Sequence, residues 1–529
     1  MADYYSISRP AMLPKGGVEE VGNKAWNLMR LAQAGLPVPA AFVLPTQWCQ
    51  NRSALTPSRD LRAVLAEGIA WLESATHLGF GATHRPLVVS VRSGAAVSMP
   101  GMMDTVLDVG LNAVTVEALI RLKGNPRLAW DSYRRLVQGY AEIVAHLPTA
   151  PFDQLVAAEL LRAEADNEYE LDHRSLRALT QAMLDCYSAI TGHAFPSDPH
   201  EQLHAATAAV LRSWDAPKAV SYRRLNHISD TAGTAVTVQT MVYGNAGGAS
   251  GAGVAFTRDP ATGERQMYFD FQFNAQGEDV VGGRQRLHDN ERLQRMLPQV
   301  WSRLNEICRE LETLQGDAQD FEFTVEAGQL FLLQIRRAKR TEWAAVKIAV
   351  DMVEEGLLKP VDALARLEGI ALDKVVRTSF ALPLPTELTI AQGASMGVTS
   401  GAIALDSEAA KRLAATGAPV ILVRRETVTT DIEGMALAAG ILTGSGGRTS
   451  HAAVVARQLG KVCLVACPGL EIDLDRRQCR IGGQLLSEGD FLSLDGNTGA
   501  VYPGRLAALT AHPTLALSKI AAWTPAAAA

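Results

Sequence analysis

One stretch constrains this chain more than any other: ILTGSGGRTSHAAVVARQLGKVCLVAC, which surrounds His451. An apolar, strand-like run over 440–443 enters Gly444, Ser445, Gly446 and Gly447. Glycines there can take left-handed angles and bring main chain close to a ligand. Thr449 or Ser450 is suited to cap a helix carried on by AAVVARQL, and a second apolar run follows. Strand, glycine-rich loop, helix and strand in that order predict an α/β unit with His451 in the helix's first turn. Unpaired N–H groups and the positive end of the helix dipole favour an anion at that place. An imidazole with an ordinary pKa of about 6.5 is a competent nucleophile near neutrality. The same context fits a histidine that merely packs beside the cap.

The 529 residues leave room for three or four domain-sized units, and 47% hydrophobic with 20% charged residues is an ordinary globular balance. A formal net charge of −6 supplies no basic excess for nucleic-acid phosphates or an anionic membrane surface, so neither partner is expected. No run approaches 18 consecutive apolar residues, and MADYYSISRPAMLPK lacks the basic and apolar parts of a secretory leader. Cys49, Cys186, Cys308, Cys463, Cys467 and Cys479 contain no C-x-x-C pair. These features together predict a cytoplasmic protein with reduced thiols. Cys463 and Cys467 read as small buried hydrophobes in a strand.

Along the chain the periodicity changes three times. Residues 1–110 alternate short apolar runs with Gly/Pro breaks, as strands do. From 112 to 215, apolar residues fall at helical spacing, which predicts a helical subdomain inserted in the first module. From 230 to 340 the strand signature returns, in TAVTVQTMVYG, SGAGVAFTR, DFEFTVE and LFLLQIR. A helix, AAVKIAVDMVEEGLL, and a proline-stiffened connector over 382–388 follow. A second compact α/β unit is expected over 390–508, and the last twenty residues read as a frayed tail. The fold class is α/β and α+β multidomain.

Two further places gather groups suited to a polyphosphate. Arg92 ends a strand-like run and is followed by a stretch, 94–103, able to present N–H groups to phosphates. In DFEFTVE, period-2 alternation puts Asp320, Glu322 and Thr324 on one face; in LFLLQIR, Gln334 and Arg336 share a face. A three-residue loop over 327–329 would set Glu322 opposite Gln334 and Asp320 opposite Arg336. A two-residue turn would put them on opposite faces. The first register gives two carboxylates, an amide and a guanidinium, which suit Mg²⁺ with ATP phosphates. An exposed, salt-bridged hairpin accounts for the same residues.

GGRTSHAAVVAR resembles the phosphohistidine signature of the PEP-utilising enzymes, the family of the pyruvate, phosphate dikinases and PEP synthases. VGNKAWNLMRLAQAGLPVPAAF, SVRSGAAVSMPGMMDTVLDVGLN and the D-x-E…Q-x-R hairpin are similar to the dikinase branch. The resemblance covers roughly residues 10–505. It implies an ATP-grasp nucleotide-binding module over 1–340 with the helical insertion, a linker with a helix over 341–389, and a swivelling phosphohistidine α/β domain over 390–508, before a tail over 509–529. It implies that His451 is transiently phosphorylated and that Arg92 and Arg336 act on the transferred group. Lys24, Gly101, Thr105, Gln239, Met241, Glu278 and Gln334 become nucleotide contacts, with Gln239 to Val242 bordering adenine. Asp320 and Glu322 become Mg²⁺ ligands, ATP the donor and inorganic phosphate the second acceptor. Ser445 and Arg448 stand where dikinases commonly carry arginine and methionine, and Thr449 where plant-type dikinases carry a regulatory phosphothreonine.

A complete dikinase of this family ends in a PEP/pyruvate-binding barrel of about 250 residues, whereas 25 residues follow Gly504. The expectation is therefore a donor half lacking that barrel, which hands its phosphoryl group to a separate acceptor protein. A truncated dikinase, or a non-catalytic ATP-binding regulatory protein, is the alternative.

Overall fold

A computed structural model describes residues 3–8, 13–50, 60–97, 99, 103–281, 289–427, 431–447 and 450–523. The chain folds into two compact units: Met1–Gly251 with Phe321–Arg336, and Ala252–Asp320 with Arg337–Ala529.

In the first unit, strands Tyr5–Ile7, Ala41–Leu44, Ala235–Thr240, Val89–Gly94 and Thr105–Val109 form one sheet in that spatial order. Every neighbouring pair is antiparallel. Alternation gives this sheet two unlike faces. Val89, Val91, Val236 and Val238 point into the main core, whereas Ser90 pairs with Gln239 and Arg92 with Thr237 on the other face.

The predicted helical stretch, 112–215, is five α-helices from Ala113–Lys123 to Pro199–Arg212, and a sixth, Pro217–Leu225, follows it. Four start where Asn112, Asn125, Asp172 and Asp198 accept hydrogen bonds from first-turn N–H groups, satisfying donors a helix start leaves unpaired. Their apolar stripes do not close on themselves. Leu128, Leu136, Leu176 and Leu203 share one core with the strand residues Val91, Val106 and Val238, and burial of that joint core holds the sheet's polar face rigid.

The second unit is built around an eight-stranded sheet. Its strands run Thr389–Ile390, Ala500–Pro503, Phe491–Asp495, Val398–Ala404, Val420–Arg424, Gly440–Thr443, Val462–Val465 and Gln392–Ser395 in space. The four from Val398–Ala404 to Val462–Val465 are parallel. Parallel neighbours need crossovers, supplied by helices Ser407–Ala414, Ile432–Leu437 and His451–Gln458. Small residues let these helices lie close: Ala409, Ala410, Ala452, Ala453 and Ala456 pack on Ala404, Leu422 and Ile441. On the opposite face Ile403, Ile421 and Leu442 pack with Ile481 and Leu486 of a three-stranded sheet.

The structure corrects two sequence expectations. The strand-rich stretch 230–340 also holds helices Asp289–Met296 and Pro298–Gln315. The second opens on Pro298, buries Val300, Leu304, Ile307 and Leu311 and stops at left-handed Gly316, all helical signals that the flanking strands overshadowed. The C-terminal segment is not frayed over its described part. Ala508–Ala511 pairs with Arg377–Phe380, and helix Thr514–Trp523 buries Ile520 against Val346, Val350 and Ala363.

All six cysteines are free; Cys463 and Cys467 are both buried as expected, Cys463 within strand Val462–Val465 but Cys467 just past it. Among the described residues no helix is long and apolar enough to cross a membrane.

Candidate active site

The first unit draws together residues up to 312 positions apart. Helix Gly17–Gln33 breaks at Gly22, which takes φ 74° and ψ 158°. A Cβ on Gly22 would lie 2.0 Å from the carbonyl oxygen of Gly94, so only glycine lets the helix touch the end of strand Val89–Gly94. Asn23 N then donates to Ala95 O at 2.9 Å, and Lys24 Nζ to Ser93 O at 3.1 Å. That contact explains the G-x-K pattern: the glycine is the hinge that delivers the lysine.

Lys24 thereby lies within electrostatic reach of Arg92, Glu322 and Arg336. Burial of its ammonium, then Arg92, lowers its pKa from 10.5 to about 7, with Arg336 adding to the fall and Glu322 opposing it. Lys24, Arg92, Arg336 and Glu322 thus gather in one place, and guanidinium and ammonium groups so placed suit a polyphosphate. Arg92 is held by neutral acceptors, since Nη1 donates to Gln239 Oε1 at 3.3 Å and Leu333 O at 3.4 Å. Its Nη2 lies 3.8 Å from Glu322 Oε2.

The hairpin departs from the expected three-residue loop. Its strands are Gln319–Glu326 and Gln329–Arg337. The turn is therefore two residues, Ala327 and Gly328, both left-handed at φ 49° and 81°, as tight hairpins favour. That turn alone would part Glu322 from Gln334. The burial pattern of the returning strand, however, slips by one. Leu330 and Leu332 are buried, Leu333 and Gln334 are both half-buried, and Ile335 is buried again. Gln334 and Arg336, like Glu322, are half-buried, and Glu322 and Arg336 both lie within electrostatic reach of Lys24. Asn27 Nδ2 donates to Ile335 O at 3.3 Å, tying the hairpin to the lysine's helix. Asp320, 3% exposed, precedes Glu322 by two residues on the same strand.

Of the other expected nucleotide contacts, Gln239 is 1% exposed, and its Nε2 donates to Pro39 O at 3.4 Å. Met241 N donates to Val88 O at 2.9 Å, and its side chain helps line a cavity of about 260 Å³ with Leu78, Leu119, Leu122 and Tyr243. Thr105 opens its strand and pairs with Arg92. Gly101 and the Glu278 side chain lie outside the described residues. Pattern reading missed the roles of Asn27 and of the Leu333 carbonyl, because an asparagine within a helix and a main-chain oxygen carry no signature.

In the second unit, His451 is the first residue of helix His451–Gln458; its side chain, with Arg448 and Thr449, lies outside the described residues. The loop before it is fastened from within. Thr443 Oγ1 donates to Ser445 O at 2.7 Å, and Ser445 donates to Arg425 O from both N, at 2.9 Å, and Oγ, at 3.0 Å. Gly446 takes φ 93° with Ser450 3.0 Å from where a Cβ would be. Ser450 holds the N-cap position but makes no side-chain capping bond, and its Oγ is buried without a partner. The first-turn N–H groups are thus not covered by the Ser450 hydroxyl.

Residues 54–295, including Arg92 and Gln239, match the pyruvate phosphate dikinase AMP/ATP-binding domain. Residues 416–499, including His451, match the mobile domain of PEP-utilising enzymes. The pyruvate, phosphate dikinase of Clostridium symbiosum is 41% identical over 95% of this chain and 58% of its own length. Pyruvate, phosphate dikinase 2 of Zea mays is 43% identical over 92% of this chain and 56% of its own. The pyruvate, phosphate dikinase of Rhizobium meliloti (strain 1021) is 39% identical over 96% and 58%. The chain spans a little over half the length of these curated relatives.

Proposed function

Because the chain belongs to the pyruvate, phosphate dikinase family, a family of phosphotransferases, we propose that it carries out the nucleotide half-reaction and loads His451 from ATP. The observation that carries the reading is the convergence of Lys24, Arg92 and Arg336 around Glu322.

A ring nitrogen of His451 attacks the β-phosphorus of ATP. The N–P bond forms as the bond from that phosphorus to the α,β-bridging oxygen breaks. AMP leaves with that oxygen, and the ring's other nitrogen gives up its proton. An oxygen of inorganic phosphate then attacks the γ-phosphorus, and the β,γ-bridging oxygen stays on the group bound to histidine. Pyrophosphate departs and phosphohistidine remains. Arg92, Arg336 and Lys24 neutralise charge building on the transferred group. A helix start that the Ser450 hydroxyl does not cap suits an anionic adduct beside His451.

Asp320 and Glu322, on one face of one strand, are the donor type a hard divalent cation takes. No group of three or more metal-ligating side chains collects among the described residues, so phosphate oxygens would complete the shell. Bound Mg²⁺ supplies charge neutralisation and orientation of the polyphosphate. The final acceptor in this reading is a separate PEP/pyruvate-binding protein.

The test is incubation with ATP labelled at the β-phosphate, with and without inorganic phosphate. Acid-labile, base-stable label on the protein, lost in His451→Asn, is expected. Absence of label under every condition would leave only an ATP-binding regulatory role. Discharge of the label to pyruvate after adding a PEP/pyruvate-binding protein tests the acceptor.

A further inference from the structure

Gln239 sits where a strand ends beside the nucleotide cluster, yet it is 1% exposed and both ends of its amide are engaged. Its Nε2 is fastened to main chain, the carbonyl of Pro39, just ahead of strand Ala41–Leu44, in which Ala41 pairs with Gln239 itself. Its own carbonyl accepts from Ser90 Oγ at 3.4 Å. The side chain therefore rests on the rigid antiparallel sheet at both its root and its tip. What it presents to the site is a single neutral oxygen, aimed at Arg92 Nη1.

Neutrality decides what that oxygen can do. A guanidinium on a long side chain must be aimed if it is to meet a developing charge. A carboxylate would aim it but would also spend its charge. An amide oxygen and the Leu333 carbonyl fix Nη1 from two sides while leaving the full positive charge for phosphate. The carboxylate of Glu322 lies farther off, 3.8 Å from Nη2.

We infer that Gln239 is a positioning residue that aims Arg92 at the transferred phosphoryl group, rather than a contact to the adenine base. The inference rests on the proposed role of Arg92 in phosphoryl transfer.

A double-mutant cycle tests it on the full chain, reading the rate of β-label transfer to protein and, separately, ATP affinity. Arg92→Ala alone must slow labelling; if it does not, the reading of Arg92 fails and the inference with it. Gln239→Leu is expected to slow labelling about tenfold with ATP affinity changed less than about twofold, and to have no further effect in the Arg92→Ala background. An equal loss in both backgrounds, or a loss of ATP affinity that persists without Arg92, overturns the inference while leaving the role of Arg92 intact. Gln239→Glu keeps the size and the oxygen but pairs with the guanidinium, so it is expected to slow labelling as well and to be silent in Arg92→Ala. If Gln239→Leu does not fold, this isosteric variant carries the cycle; wild-type labelling by Gln239→Glu in the intact background overturns the inference.

Discussion

In the proposed reaction Arg92 and the loop before His451 both serve phosphate, yet they are held in different ways. Arg92 depends on partners far off in sequence: Gln239, Glu322 and Leu333, with Lys24 delivered through Gly22. The His451 loop depends mostly on near neighbours, since Thr443 bonds to Ser445 and Ser450 to Gly447, with one anchor farther off, the carbonyl of Arg425 just past strand Val420–Arg424. A site assembled from distant pieces fails when any supporting contact fails. A site written into one segment tolerates change outside it.

The contrast can be broken most severely at Gly22. Gly22→Val places a side chain 2.0 Å from a backbone oxygen at a left-handed position. A loss of about 3 kcal/mol or more is expected in urea unfolding of the first unit's transition, together with loss of ATP binding. A variant that binds ATP normally would show that the helix need not touch Gly94.

Removing a cation while keeping the scaffold comes next. Arg336→Ala is expected to slow β-label transfer by on the order of 10²–10³ with the unfolding midpoint little changed. A loss confined to ATP affinity would instead make Arg336 a uniform binding group.

Lys24 gives a pH signature. Its folded pKa of about 7 lies below the ordinary 10.5 because of burial, then Arg92. Between these values the unfolded chain binds more protons, so this group's contribution to stability rises with pH across that window and is constant below it. ATP favours the ammonium form, so binding at pH 8 should take up protons and weaken as pH rises above 7. Calorimetry in buffers of different ionisation enthalpy reads this, and Lys24→Met should abolish the uptake. Equal heats in all buffers for the unaltered protein would contradict the lysine's place beside the phosphates.

The smallest effect is expected in the local site. Ser445→Ala removes one exposed hydroxyl bond while the Ser445 N bond to the same Arg425 carbonyl remains. Stability should shift by no more than about 0.5 kcal/mol. A larger loss by thermal unfolding would mean the loop is less self-sufficient than its bonds indicate.

Legibility in the sequence followed this division. The strand, loop and helix around His451 were readable because each signal lies within one turn or one strand of the next. The helical stretch from 112 was readable for the same reason, apolar residues recurring three or four positions apart, although its capping residues Asn112, Asn125, Asp172 and Asp198 were found only in the structure. The hairpin was only half readable. Alternation assigned faces within each strand, but the turn is two residues, Ala327 and Gly328, rather than three, and no local pattern fixes its length. The C-terminal helix was misread because an alanine-rich stretch reveals its docking site only when Ile520 meets Val346 and Val350.

By itself, then, the sequence determined the segments, their periodicities and the chemistry each could offer, for these are governed by interactions within a few residues. Only the tertiary structure decided which offers meet: that Gly22 carries Lys24 to Arg92, that Gln239 turns inward to an arginine, and that Glu322 and Arg336 both come within reach of Lys24. Those choices turn on backbone approach and burial between distant parts of the chain, where a single Cβ outweighs any local preference.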